Sequence, residues 1–481
     1  MYILPFSNDI APDVYNIVYL LENLLDIKEL PLTEEEKNYA IDTYKPEKRD
    51  LFIFNRFTFS LAVQVSPSEP GYKTAEYLRK AGDKVQTMNR RRRQSAVVIR
   101  NTGASDEKVL AFAEGLALGA YEFDKYKSAD KDVVKITSIL IDSPGLSPQK
   151  IDSINYVVHS CYMVRDMVNE PVNVLDAISF AQKIKELGED VGLSVRILSR
   201  KEIEELGMTG LMTVNMGSKN DPAFIILEYN PKNAVNSSPL VLVGKGLVFD
   251  TGGINLKPGK GLDTMKCDMA GGAAVFGAIY AVAMNKLPYS AVALIPATDN
   301  RPGENAMVPG DIIRMANGKT VEIINTDAEG RLILADALHY AKKYSPSLVI
   351  DVATLTGAAS VAIGRFGIAA MHEDAEDAMK KLSDAGYSTY ERIVEFPFWD
   401  EYGKEIRSDV ADIRNLGRNG GAGTITAGKF LAHFIDYPWI HLDIATMAFM
   451  DTRESWMGKG GTAVGVRLLY EFIASESKRN R

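Results

Sequence analysis

The chain of 481 residues contains only two cysteines, Cys161 and Cys267, and five histidines. Two cysteines exclude a disulfide framework and fit a reducing compartment. The histidines are scattered at 159, 339, 372, 433 and 441. None forms the helix-face pair of a single-zinc protease, and His339 and His433 read as structural residues within helical patterns. There is no Gly-x-Ser-x-Gly elbow, so nothing supports a serine nucleophile. Cys267 is weighed as a thiolate ligand and set behind the neighbouring oxygen donors, because soft sulfur suits an oxygen-rich set poorly.

Other absences narrow the class further. No apolar run approaches the ~20 residues of a membrane helix, and Met1–Ile10 lacks a basic segment followed by an apolar core. These features predict a soluble cytoplasmic protein without membrane contact. The formal net charge of −8 gives no basic excess for general nucleic-acid binding. The exception, Arg90 to Arg93, reads first as a solvated face. Leu416–Gly423 and Gly259–Lys260 are glycine-rich but lack P-loop spacing, and read as loops bordering a cleft. There is no short repeat and no low-complexity tract.

What is present is 46% hydrophobic residues, enough for two or three well-buried domains. Residues 1–155 mix strands (50–54, 60–65, 133–141) with a helical stretch near 107–121 and read as a small α/β domain. A helical pattern over 149–168 predicts a connecting helix at 156–172, ended by Pro171. Beyond it, in 173–481, apolar strand runs at 194–198, 223–227, 240–243, 290–295, 348–352 and 440–444 alternate with helical patterns. The predicted fold class is therefore α/β, a mainly parallel central sheet covered by helices, with the active site at strand ends and following loops.

Two stretches about sixty positions apart carry the chemistry. The first, Val241 to Lys257 and on through Met265–Val275, supplies Lys245, Asp250, Lys257 and Asp268; the second, Asn325 to Leu332, supplies Asp327, Glu329 and Arg331. Four carboxylates match the charge of two divalent cations, and carboxylates are hard oxygen donors. Without cations they would repel one another and some would take up protons. If 327–331 is extended, alternation places Asp327, Glu329 and Arg331 on one side. Lys245 could ligate only with its pKa pulled below about 10.4 by adjacent cations. Lys257 could stay charged and stabilise an oxyanion. The plain alternative, that the 327–331 residues cap a helix and form surface ion pairs, accounts for each residue alone but not for all seven together.

Asn325-Thr-Asp-Ala-Glu-Gly-Arg-Leu332 resembles the signature octapeptide of the leucyl aminopeptidases, the cytosol aminopeptidase family. The resemblance extends through Gly244–Gly246, Phe249–Gly253, Met265–Met269, Ala353–Ala358, Arg165–Pro171 and Trp439–Ala445, covering about residues 160 to 470. It implies one divalent ion held by Asp250, Asp327 and Glu329 and a second held by Lys245, Asp250, Asp268 and Glu329, with Zn or Mn the foremost occupants. It assigns Lys257 to the substrate carbonyl and Arg331 to a bound bicarbonate acting as general base. It places Met265, Thr354, Leu355, Gly357 and Ala445, with Met447 or Ala448 nearby, around the first side chain of the substrate. The implied activity is removal of a leucine-like N-terminal residue from peptides with a free N-terminus by a metal-activated water, in a homohexamer. Two other functions stay open at this point: another dinuclear amidohydrolase, and a non-catalytic binding protein on the same scaffold.

Overall fold

The computed structural model describes residues 2–5, 16–46, 48, 50–56, 59–67, 71–89, 94–128 and 134–479. Arg90 to Arg93 lie outside the described residues. The chain divides into two compact units, Met1–Tyr162 with Thr452–Lys459, and Met163–Asp451 with Gly460–Arg481. The division falls inside the long helix Pro148–Asn169.

The first unit is built on six strands, β1 (Tyr2–Pro5), β2 (Asn16–Leu21), β3 (Leu51–Asn55), β4 (Ser60–Val65), β5 (Ala96–Thr102) and β6 (Ser138–Asp142). Their order across the sheet is β1-β6-β5-β2-β4-β3, parallel throughout except for the β3–β4 pair. The helix at 107–121 occupies Asp106–Gly119.

The second unit carries β7 (Ser194–Leu198), β8 (Ala223–Tyr229), β9 (Leu240–Gly244), β10 (Gly246–Asp250), β11 (Ala291–Asn300), β12 (Ile312–Arg314), β13 (Thr320–Glu322), β14 (Leu348–Ala353), β15 (Ile368–Glu373), β16 (Ile393–Glu395), β17 (Ile413–Arg414) and β18 (Trp439–Asp443). Its main sheet runs β16-β15-β18-β14-β9-β11-β8-β7, with β10 adding to β11. The pairs β14–β18, β14–β9, β9–β11, β10–β11 and β15–β16 are parallel, as the alternation of strand and helix signals requires.

The central strands are apolar on both faces because helices cover both. Side chains alternate along β9, so Leu240, Leu242 and Gly244 face one way and Val241 and Val243 the other. On the Gly244 side lies the helix Ala270–Met284, whose small residues permit close approach. A Cβ on Gly271 would lie 2.0 Å from the Val352 carbonyl oxygen, and one on Gly244 would lie 2.6 Å from Gly272 Cα. On the Val241 side, Leu332, Leu334, Ala335 and Leu338 of the helix Gly330–Ala341 share one buried cluster with Val241 and Val243. One stretch, Leu262–Met284, does reach the length and apolar composition of a membrane span, against the expectation from sequence. Its apolar window is 94% buried inside the fold, which makes it a core element made apolar by its place between a sheet and neighbouring helices.

Two expectations about local structure need correction. The strand expected at 290–295 is Ala291–Asn300, running on through Pro296. Residues 327–331 are not extended. Asp327 N donates to Asn325 Oδ1 at 2.8 Å and Ala328 N to Asn325 O at 3.1 Å, closing a turn, and Glu329 is already helical at φ −78°, ψ −36°. An asparagine side chain that satisfies the second amide after it favours this turn over a strand.

Candidate active site

Lys245 sits between β9 and β10, and its amide continues the ladder by donating to Val352 O at 3.0 Å. Alternation puts its side chain on the face of Val241 and Val243, toward the start of the helix Gly330–Ala341. There its ammonium lies 2.7 Å from Asp268 Oδ2 and 3.1 Å from Glu329 Oε1, and donates to Thr354 O at 3.1 Å. Asp268 is the penultimate residue of the 3₁₀ segment Leu262–Met269 and accepts the Thr354 hydroxyl at 2.6 Å.

Asp250 closes β10. Its Oδ1 accepts from Gly252 N at 2.8 Å and from Asn300 Nδ2 at 2.9 Å, while Oδ2 lies 2.8 Å from Lys257 Nζ. The chain then reverses through Gly252 and Gly253, at φ +85° and +64°. A side chain at 252 would be strained, and its Cβ would stand 2.9 Å from Asp327 Oδ1. The returning loop is locked to the 325–328 turn by Thr326 and Asn255, which exchange bonds: Asn255 N to Thr326 Oγ1 at 2.9 Å and Thr326 N to Asn255 Oδ1 at 2.8 Å. Lys257 is thereby held 2.6 Å from Asp327 Oδ1.

Asp250, Asp327 and Glu329 each offer an oxygen atom within 4.8 Å of the others, the one such group of potential metal-binding side chains among the described residues. Asp268 and Cys267 stand outside that group; Asp268 is joined to it through Lys245. Glu329 is buried, and its Oε2 is enclosed with no hydrogen-bond partner. A buried carboxylate oxygen left without a donor is costly, and a divalent cation would satisfy it. The donor set and this orphan oxygen therefore fit a hard metal ion.

The electrostatics follow from burial and crowding. Burial pushes Asp268 up to about 7, helped by the charges of Asp250 and Glu329 and opposed by Lys245. Burial likewise raises Asp327 and Glu329, with Asp250 adding to both. For Lys245, burial disfavours the charged form, but the carboxylates of Asp268, Glu329 and Asp250 outweigh it and hold the ammonium above its ordinary range. Without cations Lys245 is thus a counter-ion, not a lone-pair donor. Lys257 is held protonated in the same way, chiefly by Asp250 and Glu329 against its burial. Arg331 is lowered to about 10 by burial, partly offset by Glu329 and Asp443, and stays charged at neutral pH. Its Nη1 donates to Asn415 O at 2.7 Å, and its buried Nε has no partner.

The structure thus forms two contact sets, Lys245 with Asp268 and Glu329 and Lys257 with Asp250 and Asp327, brought together where oxygens of Asp250, Asp327 and Glu329 lie within 4.8 Å of one another, and sets Arg331 two residues beyond Glu329. Thr354 touches both Asp268 and Lys245. Leu355 and Ala445 meet at the carboxylate of Asp443, their amides donating to its Oδ1 at 3.1 and 3.2 Å. Met265 and Ala445 are half-buried and Gly357 is exposed, whereas Met447 and Ala448 are buried and cannot offer an open wall. Sequence reasoning missed Asn300, which holds Asp250; Asn415, which receives Arg331; and Asp443. Each lies far along the chain from the group it serves, so no local spacing reveals it.

A mainly parallel α/β sheet with carboxylates and lysines gathered near its strand ends gives a centre suited to divalent cations. Residues 162–470 match the catalytic domain of the cytosol aminopeptidase family. The chain is 45% identical over 387 residues to a probable cytosol aminopeptidase of Geobacter sulfurreducens, across 79% of this chain and 77% of that one. It is 40% identical over 417 residues to the probable cytosol aminopeptidase of Clostridium perfringens, across 84% of each. Among solved structures, the bottromycin maturation enzyme BotP in complex with Mn superposes with a TM-score of 0.85 at 28% identity, covering 96% of this chain and all of that one. The chain belongs to the cytosol aminopeptidase family, a family of metallopeptidases, and is an aminopeptidase.

Proposed function

We propose that the enzyme removes leucine-like N-terminal residues from peptides, using two divalent cations, Zn or Mn, held by Asp250, Asp327 and Glu329 and by Lys245, Asp250, Asp268 and Glu329. The observation that carries this reading is the convergence of buried Asp250 and Glu329 with half-buried Asp327, and an orphan oxygen on Glu329. The Mn complex of the related BotP supports the class of ion. When bound, such a pair of cations polarises the scissile carbonyl and lowers the pKa of a water to give the nucleophile.

The chain's own residues supply the rest. Asn300 and Gly252 N fix Asp250, and the Asn325 turn fixes Asp327, so the acidic centre is held in shape before substrate arrives. Lys257, whose side chain is 22% exposed, keeps its proton and can donate to the carbonyl oxygen as negative charge grows there. Arg331 offers a planar fork, with Nε unpartnered, to a small planar oxyanion such as bicarbonate. A free N-terminal amine also offers a lone pair that a bound cation could take up, which an internal peptide bond does not offer. Half-buried Met265, Thr354, Leu355 and Ala445, with Gly357, would line a small apolar pocket for the first side chain. The family resemblance extends this reading to a cytoplasmic homohexamer.

Comparing leucine p-nitroanilide with its N-acetyl derivative tests the reaction class. Cleavage of the free amine alone is expected. Equal cleavage of both would favour a general amidohydrolase.

A further inference from the structure

Asp443, the last residue of β18, belongs to no metal-binding group found among the described residues, yet it is fully buried and its side-chain hydrogen bonds go to the segments that carry the proposed pocket residues. Its Oδ1 accepts from Leu355 N at 3.1 Å and Ala445 N at 3.2 Å, and its Oδ2 accepts the Thr356 hydroxyl at 2.6 Å. The Thr356 oxygen has one proton, which goes to Asp443, so the 2.8 Å contact with Thr424 Oγ1 must be donated by Thr424. Thr356 Oγ1 also accepts Ala359 N at 3.2 Å, capping the helix Gly357–Ile363. One carboxylate therefore fixes the turn leaving β14, the segment leaving β18 and, through Thr356, the start of a helix.

The base beneath it is stiff. β14 and β18 pair in parallel with Asp351 opposite His441 and Ala353 opposite Asp443, and Ile444 N donates to Ala353 O at 2.8 Å. Asp351 binds His441 Nδ1 at 2.6 Å and accepts Trp439 Nε1 at 2.7 Å. One residue before Leu355, Thr354 gives its carbonyl to Lys245 and its hydroxyl to Asp268. Any shift of the 355–356 turn is thus transmitted to the groups that touch the acidic centre.

We infer that Asp443 is a positioning residue that sets the shape of the first-side-chain pocket by pinning Leu355, Thr356 and Ala445 to one buried carboxylate. The inference rests on the pocket assignment in the proposed function. The need is for acceptors, not for charge as such. An asparagine at 443 keeps an oxygen for the two amides, and the hydroxyl chain can reverse, with the new amide donating to Thr356 and Thr356 donating to Thr424. An alanine leaves two amides and a hydroxyl without a partner.

The test measures kcat and KM for leucine and alanine p-nitroanilides with Asp443→Ala, Asp443→Asn, Thr356→Val and Met265→Ala in the metal-loaded enzyme. A well-formed pocket separates such substrates by about 10- to 200-fold. Asp443→Ala is expected to cut the leucine-to-alanine ratio of kcat/KM by about tenfold, mainly through KM, with Asp443→Asn restoring it to within about threefold of the parent. Should Asp443→Ala not fold, Thr356→Val, which removes one hydroxyl, is expected to move the ratio in the same direction. An unchanged ratio in folded Asp443→Ala, or in Thr356→Val where the alanine variant is unfolded, overturns the inference while Met265→Ala still alters preference. Equal loss in Asp443→Asn and Asp443→Ala overturns it in favour of a charge effect. If Met265→Ala leaves preference untouched, the pocket assignment itself falls and the inference with it.

Discussion

Gly330 makes room for Lys245: a Cβ at position 330 would lie 2.6 Å from Lys245 Cε and 2.7 Å from its Nζ. The first residue of a helix and the ammonium that bridges Asp268 and Glu329 therefore compete for one volume. Gly330→Ala should favour the helix by propensity yet displace the ammonium. The expected outcome is a variant with wild-type circular dichroism and thermal midpoint but a kcat/KM lowered by about tenfold or more, since small misplacements at a reacting centre are costly. Undiminished activity would show that Lys245 need not occupy its observed place.

Gly271 tests the packing beneath the site, against the strand oxygen that also accepts the Lys245 amide. A methyl there would stand 2.0 Å from a backbone oxygen of β14, which cannot rotate away. Gly271→Ala should destabilise by about 1–3 kcal/mol, the usual cost of overpacking, as a lower urea midpoint. An unchanged midpoint would mean that the helix Ala270–Met284 can lift from the sheet at no cost.

Asn300 is expected to matter for metal binding although it offers the metal nothing itself. Its amide holds Asp250 Oδ1 at 2.9 Å and Thr326 O at 3.0 Å. Asn300→Ala should weaken Mn binding by about 10- to 100-fold, as loss of such supporting bonds usually does, read by calorimetric titration. Wild-type affinity would show that Asp250 is held well enough by Gly252 alone.

Much of this was legible in the sequence, and the failures have physical causes. The apolar runs at β8, β9 and β14 located the sheet because strands covered on both faces must be apolar throughout, and that signal needs no partner. The two polar stretches named every charged group now found in the two ion-pair sets around Lys245 and Lys257. The turn at 325–328 was misjudged because period-two spacing of Asp327, Glu329 and Arg331 suits a strand, while the competing bond from Asp327 N to the Asn325 side chain leaves no periodicity. Asn300 lay beyond the end expected for its strand. Asp443 was quoted only as part of a motif, since a carboxylate that serves backbone amides of a loop some ninety residues earlier has no local mark.

Asp336 gives a pH dependence separate from the reaction. Its Oδ2 accepts Leu211 N at 2.8 Å deep in the core, and burial pushes the carboxyl up to about 8 despite that bond and one from Gly210. Because the folded value lies above the unfolded one, near 3.8, the stability contributed is complete below about pH 4 and is lost as pH rises through about 8. Relative to Asp336→Asn, the wild type should lose stability in urea titrations from about pH 5 to about pH 8, with the difference levelling off above. A difference that does not change with pH would contradict this.

The most direct test of the central claim is a metal titration of protein stripped by chelation, with bound metal and leucine p-nitroanilide cleavage followed together. Saturation at two equivalents of Mn or Zn per chain, with cleavage appearing as the sites fill and both lost in Glu329→Ala, is the expected result. Folded protein that binds no divalent ion at the Asp250, Asp327 and Glu329 centre, or that cleaves equally well without one, would contradict it.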